Sequence, residues 1–119
     1  MKAENLRLNE LVEFGDGRLS LQGRRLVLHD INAFTQLRRD LFVMVGPEQA
    51  RRILVRYGFA WGYADAAAMT RVFTWDDKVE WLKAGPRMLT IQGVARAAVN
   101  RIELDEPRGT LEMELTWHD

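Results

Sequence analysis

The sequence predicts an α+β fold: an N-terminal β-hairpin or meander, central helices, and C-terminal antiparallel strands with the helices packed on the sheet. Three observations predict it. The first 30 residues carry short alternating runs separated by glycine turns. Residues 30 to 85 carry apolar residues at helical spacing. The last segment, Thr110 to Trp117, alternates with a strict period of two. Strands, then helices, then strands is the order of an α+β chain rather than of parallel βαβ units.

The elements follow in order. Leu19 and Leu21 alternate with Arg18, Ser20 and Gln22, and Gly23-Arg24 turns the chain into the run Leu26-Val27-Leu28. Gly15-Asp16-Gly17 is a turn signal, because glycine reaches positive φ at little steric cost. Phe34, Leu37, Leu41 and Met44 form a helical stripe, with Asp30 or Asn32 as its N-cap. Gly46-Pro47 ends that helix and starts the next, proline being tolerated in a first turn. Ile53, Leu54 and Tyr57 continue this second helix, and Ala64, Ala66, Ala67 and Ala68 extend it. Gly58 and Gly62, four apart, predict a close internal approach of another backbone on that face. Thr74 is expected to cap a short helix from Trp75 to Lys83, with Asp77 as a weak capping box. Gly85-Pro86 is expected to end it. Strands are then expected over Met88–Gln92, Ala98–Leu104 and Thr110–Trp117, with Glu106-Pro107-Arg108-Gly109 as a turn. In the last strand Leu111, Met113, Leu115 and Trp117 share one face, and Glu112, Glu114, Thr116 and His118 the other.

Composition narrows the function. A chain of 119 residues suits one domain and can bury a core without staples. With no cysteine, it has neither a disulfide framework nor a Cys-based zinc site. Seventeen Lys and Arg balance seventeen Asp and Glu, so the basic excess of a dominant nucleic-acid surface is missing. The pairs Arg24-Arg25, Arg38-Arg39 and Arg51-Arg52 read as solvated faces. Met1 to Asn5 lacks the apolar run of a signal peptide, and Leu41 to Val45 is too short to cross a bilayer. A cytoplasmic location without membrane contact is the expectation.

Chemistry-bearing groups are sparse. His29 and His118 stand alone, and Ser20, the single serine, sits in an alternating run rather than a nucleophile elbow. Gly58 to Gly62 has the wrong spacing for a phosphate loop. Asp76 and Asp77 suit a helix N-terminus, while Glu103, Asp105, Glu106, Glu112 and Glu114 suit a turn and a wet strand face. No catalytic set is predicted. Trp61, Trp75, Trp81 and Trp117 stand out: large aromatics fill cores, and they also line apolar ligand pockets.

The order of motifs resembles the N-terminal activator-of-aromatic-catabolism domain of XylR-, DmpR- and MopR-type regulators, from about Leu6 to Asp119. Four passages carry the resemblance: Leu28-His29-Asp30; Leu54, Arg56, Gly58, Phe59, Gly62, Asp65 and Ala66; Gly85-Pro86 to Gly93; and Gly109 to Trp117. Each is weak alone, and their order and spacing give the match its strength. The resemblance implies the effector-sensing domain of a bacterial sigma-54-dependent activator. Such a domain binds a small apolar or aromatic molecule, forms a homodimer and controls an adjoining AAA+ ATPase, while a separate domain contacts DNA. It also implies that residues 1–119 are one sensor domain, or its first large part, ahead of a four-vinyl-reductase-like segment. The zinc site of phenol sensors lies in that later segment, so no metal or cofactor is expected here.

The resemblance places a pocket between the Gly-Pro strand, the preceding helix and the last strand, lined by Leu82, Leu89, Ile91, Met113, Leu115 and Trp117. Phenol sensors hold the hydroxyl with a tryptophan, matched here by Trp117, and a histidine, replaced here by Leu89. A buried hydroxyl that loses one partner costs about 1–3 kcal/mol, so the expected effector is less polar than phenol. The alternative reading is a ligand-free protein-interaction or dimerisation module.

Overall fold

A computed structural model describes residues 1–118; Asp119 lies outside the described residues. A single 3-10 turn (Ala3–Asn5) and a one-turn helix α1 (Leu8–Leu11) precede a meander of β1 (Val12–Gly15), β2 (Arg18–Leu21) and β3 (Arg24–Leu26). Helices α2 (Ile31–Val45), α3 (Pro47–Val72) and α4 (Lys78–Ile91) follow. The hairpin of β4 (Arg96–Asp105) and β5 (Thr110–His118) comes last. Both sheets are antiparallel, one of three strands and one of two. The architecture is α+β, as the sequence predicts.

The meander owes its tightness to two residue pairs. Asp16-Gly17 and Gln22-Gly23 each place both residues at positive φ, 49° and 70° in the first pair and 49° and 79° in the second. That is the geometry of a two-residue hairpin turn whose twist matches its strands. Val12 then pairs with Leu21, and Leu19 with Leu26.

The core is built where this meander meets the C-terminal half of α3 and the length of α4. Leu6, Leu11, Leu21, Ala68, Met69, Ala84 and Met88 form it, with Met1, Val12, Leu26, Phe73, Trp75 and Ile91 packed around them. Three ties hold the N-terminal segment down. The Met1 amino group donates to the Thr74 carbonyl and to Asp76 Oδ1, the Ala3 N–H donates to Glu80 Oε2, and Arg87 donates to the Leu6 carbonyl. A buried carboxylate locks the other end. Asp65 on α3 accepts from Arg24 Nη2 at 2.6 Å and from Gln92 Nε2 at 3.2 and 3.3 Å, joining the meander, α3 and the end of α4.

Helices α2 and α3 meet at Gly46, whose φ of 84° permits the reversal, and Pro47 opens α3. Asp30 caps α2 by accepting from the Asn32 and Ala33 N–H groups. Phe34 stacks on Tyr57 across the two helices. The predicted α2 stripe is covered only in part: Phe34 and Leu41 are half-buried, while Leu37 and Met44 are exposed. Nearly all of the packing of α2 is against α3, so α2 and the N-terminal half of α3 stand away from the core. Accordingly the radius of gyration is 16.1 Å, against about 13–14 Å for a compact chain of this length. The close approach expected at Gly58 and Gly62 is not found. A Cβ added at either would meet nothing within 4 Å.

The largest departure from expectation lies in α4. It begins at Lys78 rather than Trp75, and its cap is Asp77, which accepts from the Glu80 N–H at 2.9 Å, rather than Thr74. It does not end at Gly85-Pro86 but runs on to Ile91, so Met88–Ile91 is helix with Gln92 as its C-cap, and none of Met88–Gln92 is strand. Proline removes one backbone hydrogen bond and strains the preceding turn. Here burial outweighs that cost, because Trp81, Ala84, Met88 and Ile91 recur at helical spacing on one side and Ala84 and Met88 are almost wholly buried. Thr90 Oγ1 donates to the Pro86 carbonyl within the strained region. The true stop is Gly93. With φ of 78°, it donates to the Thr90 carbonyl while Val94 donates to the Leu89 carbonyl, a complete glycine C-cap.

Candidate effector-binding face

Two elements carry the residues that the sequence assigns to a pocket. Leu82, Leu89 and Ile91 lie on α4; Met113, Leu115 and Trp117 lie on β5. The helix changes what these residues can share. In a strand, Leu89 and Ile91 would face the same way. In a helix, residues two apart point about 160° apart, and those seven apart only about 20°. Leu82 and Leu89 therefore share one flank of α4, both half-buried. Ile91 points to the other side and packs on the core around Met88. The structure brings Leu82 and Leu89 together and separates Ile91 from them.

On the hairpin the two-residue period holds. Trp117 pairs with Ala97, Leu115 with Val99, Met113 with Ile102 and Leu111 with Leu104, giving one apolar face. The register shifts between Val99 and Arg101, so Asn100 is an extra residue that keeps Ile102 and Leu104 on the face of Val99. No residue of this face is fully buried; Leu111 and Trp117 are 47% and 51% exposed. The start of β4 is fastened to the end of α4, because the Ala97 N–H donates to Thr90 Oγ1 at 3.0 Å. The end of α4 and the start of the hairpin are thus joined, and the flank of the one and the apolar face of the other are each half-open. Two open hollows, at the tips of the β4–β5 and β1–β2 hairpins, contain none of the six predicted residues.

The four tryptophans divide by what their N–H groups do. Trp75 donates to the Met69 carbonyl and Trp81 to Thr70 Oγ1, so both staple the α3–α4 region. Trp61 packs edge-on against Tyr57. Among the described residues, no hydrogen bond engages the Trp117 indole, which leaves it available as a donor.

The acids are occupied structurally. The Met1 amino group, by hydrogen bond and charge, holds the Asp76 carboxyl below its ordinary range. Glu80 is also held low, first by the Ala3 N–H and further by Lys83. On the wet face of the hairpin Arg101 pairs with Glu103 and Glu112, which raise its pKa, and lies 4.0 Å from Glu114. Asp105 pairs with Arg108, and Glu106 with Lys78. Every carboxylate the sequence singles out is a cap or an ion-pair partner. His29 lies edge-on to Phe34, far in sequence from exposed His118.

Half-open apolar walls on a helix and a sheet, with the nearby acids tied up in ion pairs, are the make-up of a binding domain. The chain belongs to the family described as activator of aromatic catabolism, the XylR N-terminal family, whose model matches residues 6–105. It is 27% identical over 101 residues to the phenol regulator MopR of Acinetobacter guillouiae, covering 85% of this chain and 18% of that protein. It is 21% identical over 104 residues to the transcriptional regulatory protein XylR of Pseudomonas putida, covering 87% and 18%. The crystal structure of the phenol-responsive sensory domain of the transcription activator PoxR with phenol superposes with a TM-score of 0.86 at 28% identity. That match covers 98% of this chain and 58% of the other. The chain therefore spans about a fifth of the length of the curated regulators it matches. No helix among the described residues is long and apolar enough to cross a membrane.

Proposed function

We propose that residues 1–119 are a sensor domain, or its first large part, which binds a small apolar or aromatic effector and controls an adjoining AAA+ ATPase of a sigma-54-dependent activator in the cytoplasm. The domain is a binding module and not an enzyme, works as a homodimer and leaves DNA contact to another part of the protein. The observation that carries this reading is the match to a phenol-responsive sensory domain over 98% of the chain.

The effector lies between the Leu82–Leu89 flank of α4 and the Met113–Leu115–Trp117 face of β5. Trp117 offers its ring to an apolar effector and its N–H as the one polar handle for an effector that carries an acceptor, and Ile91 supports α4 from behind. With Leu89 where a phenol sensor has histidine, an alkylbenzene binds better than phenol. An unpartnered buried hydroxyl weakens binding by about 1–3 kcal/mol, roughly 5- to 150-fold. Calorimetric titration of the protein with an alkylbenzene and with phenol tests this. The expected result is saturable binding of the alkylbenzene, weaker binding of phenol, and loss of both in Trp117→Ala. Absence of binding by either compound would overturn the sensor reading in favour of a ligand-free interaction module.

A further inference from the structure

We infer that the flank of α4 between Leu82 and Leu89 holds a second polar contact for the effector: the backbone carbonyl of Leu82, which Pro86 leaves open and Gly85 leaves uncovered. It accepts from an O–H or N–H group on a small aromatic ring. This contact rests on the reading of the flank as one wall of an effector site, and adds to it the class of substituent that the wall receives.

The helix supplies the placement. Leu82, Gly85, Pro86 and Leu89 fall within an arc of about 100° on α4, so the glycine and the proline sit between the two leucines. The leucines are roughly 10 Å apart along the axis. Leu82, Pro86 and Leu89 are half-buried, and Gly85 is exposed. A helical side chain leans over the turn that precedes it, so a side chain at position 85 would cover the backbone at 81 and 82. Glycine has none, and a Cβ there would meet nothing within 4 Å. The result is a gap in the stripe, walled by Leu82 and Leu89, with bare backbone as its floor.

Proline decides which polar group lies open in that gap. In an α-helix the N–H of residue 86 donates to the carbonyl of residue 82. Pro86 has no N–H, so the Leu82 carbonyl loses that donor. Side chains of the same helix are engaged elsewhere. Lys83 donates to Glu80, Arg87 to the Leu6 carbonyl, Thr90 to the Pro86 carbonyl and Trp81 to Thr70 Oγ1. Glycine and proline are the two costliest residues in a helix interior, and here they stand side by side in a helix that forms regardless. The core contacts of α4 come from Ala84, Met88 and Ile91 on the other side, so the core does not account for the pair. An acceptor opened to a ligand does. It complements Trp117, whose indole N–H can only donate while the carbonyl can only accept, so the site offers one group of each kind. The carbonyl offsets part of what Leu89 in place of histidine costs a hydroxyl, and phenol stays the weaker ligand without being excluded.

Calorimetric titration with toluene and phenol, which differ by a methyl for a hydroxyl, tests the contact in wild type and in Pro86→Ala. Alanine at position 86 returns an N–H to the Leu82 carbonyl and closes it. The expected result is that the ratio of the phenol to the toluene dissociation constant rises about fivefold in Pro86→Ala, the net worth of one hydrogen bond. In carbon-13-labelled wild type, the Leu82 carbonyl resonance should move downfield with phenol and move less with toluene. The substitution stabilises the helix, so lost folding does not imitate this result. An unchanged ratio, or a Leu82 carbonyl resonance that responds equally to both compounds, overturns the contact and leaves the sensor reading standing. A wild-type protein that binds neither compound overturns both.

Discussion

Replacing Asp65 should be the most damaging single polar substitution in the chain. Its carboxylate is 94% buried by residue, since relative exposure is 6%, and it takes Arg24 at 2.6 Å and Gln92 at 3.2 Å. Arg24 Nε and Gln92 Oε1 are already buried without partners. Asp65→Ala therefore leaves a guanidinium with no counter-ion and an amide with no acceptor, in a place with little water. Breaking a buried pair costs about 3–5 kcal/mol. The Arg24 side chain keeps 27% of its surface in solvent, so part of its charge can be rehydrated. We therefore expect a loss of about 2–3 kcal/mol. Asp65→Asn keeps an acceptor and loses the charge, so about half that loss is expected. Arg24→Met with Asp65→Leu removes both charges, and should recover much of the loss because the desolvation cost disappears with the pair. Urea unfolding of wild type, Arg24→Met, Asp65→Leu and the double variant closes a double-mutant cycle, with Asp65→Ala and Asp65→Asn measured beside it. A loss below 1 kcal/mol in Asp65→Ala, or a coupling near zero, would refute the claim that this pair joins the meander, α3 and α4.

Three further outcomes follow from α4 and its caps. Gly93→Ala should destabilise by about 1 kcal/mol, because its φ of 78° is strained for a residue with a Cβ although no atom crowds the position; the urea midpoint measures it. Pro86→Ala should raise stability by about 1 kcal/mol or more, since alanine restores a donor and relieves the clash inside a helix that forms regardless; an unchanged or lower midpoint would count against the continuous helix. Acid should loosen the N-terminal segment through Glu80. Its folded pKa lies below its ordinary value, so its contribution is full above the ordinary glutamate range and is lost as pH falls through the folded value. Protection of the Ala3 amide against hydrogen exchange, taken relative to its intrinsic rate at each pH, should be lost in wild type as pH falls below the ordinary glutamate range, and should be low at neutral pH in Glu80→Ala.

What the sequence reveals here is what is decided locally. Asp16-Gly17, Asp30 and Gly46-Pro47 act over two or three residues, and each stands where expected. The strand of Thr110 to Trp117 was legible because one face is apolar along its whole length. Gly85-Pro86 misleads for the opposite reason. The local rule says stop, while the stripe of Trp81, Ala84, Met88 and Ile91 buries against α3 and against an N-terminal segment and meander some 60 or more residues away in the chain, and that burial prevails. Gly93 stood in view as a motif glycine, but its role as a helix stop depends on α4 reaching it. The Asp65 lock could not be read at all, since its partners lie 41 and 27 residues away. The bulge at Asn100 likewise shows only in the pairing of β4 with β5.

The helix through Pro86 also changes the meaning of the candidate face. If Met88–Gln92 were a strand, Leu89 and Ile91 would form one wall and the core residue Met88 would turn away from it. As a helix, α4 has two faces with different tasks. Met88 and Ile91 hold it against the meander and α3, and Leu82 and Leu89 are left on the opposite flank. Its last turn is fixed twice, by Thr90 to Ala97 at the start of β4 and by Gln92 to the buried Asp65. A molecule pressing on Leu89 therefore pushes on a rigid element that is bonded one residue further on to the sheet and three residues on to the α3–meander lock. The helix that carries Leu82 and Leu89 is thus mechanically joined to the hairpin that carries Leu115 and Trp117, and through Asp65 to α3.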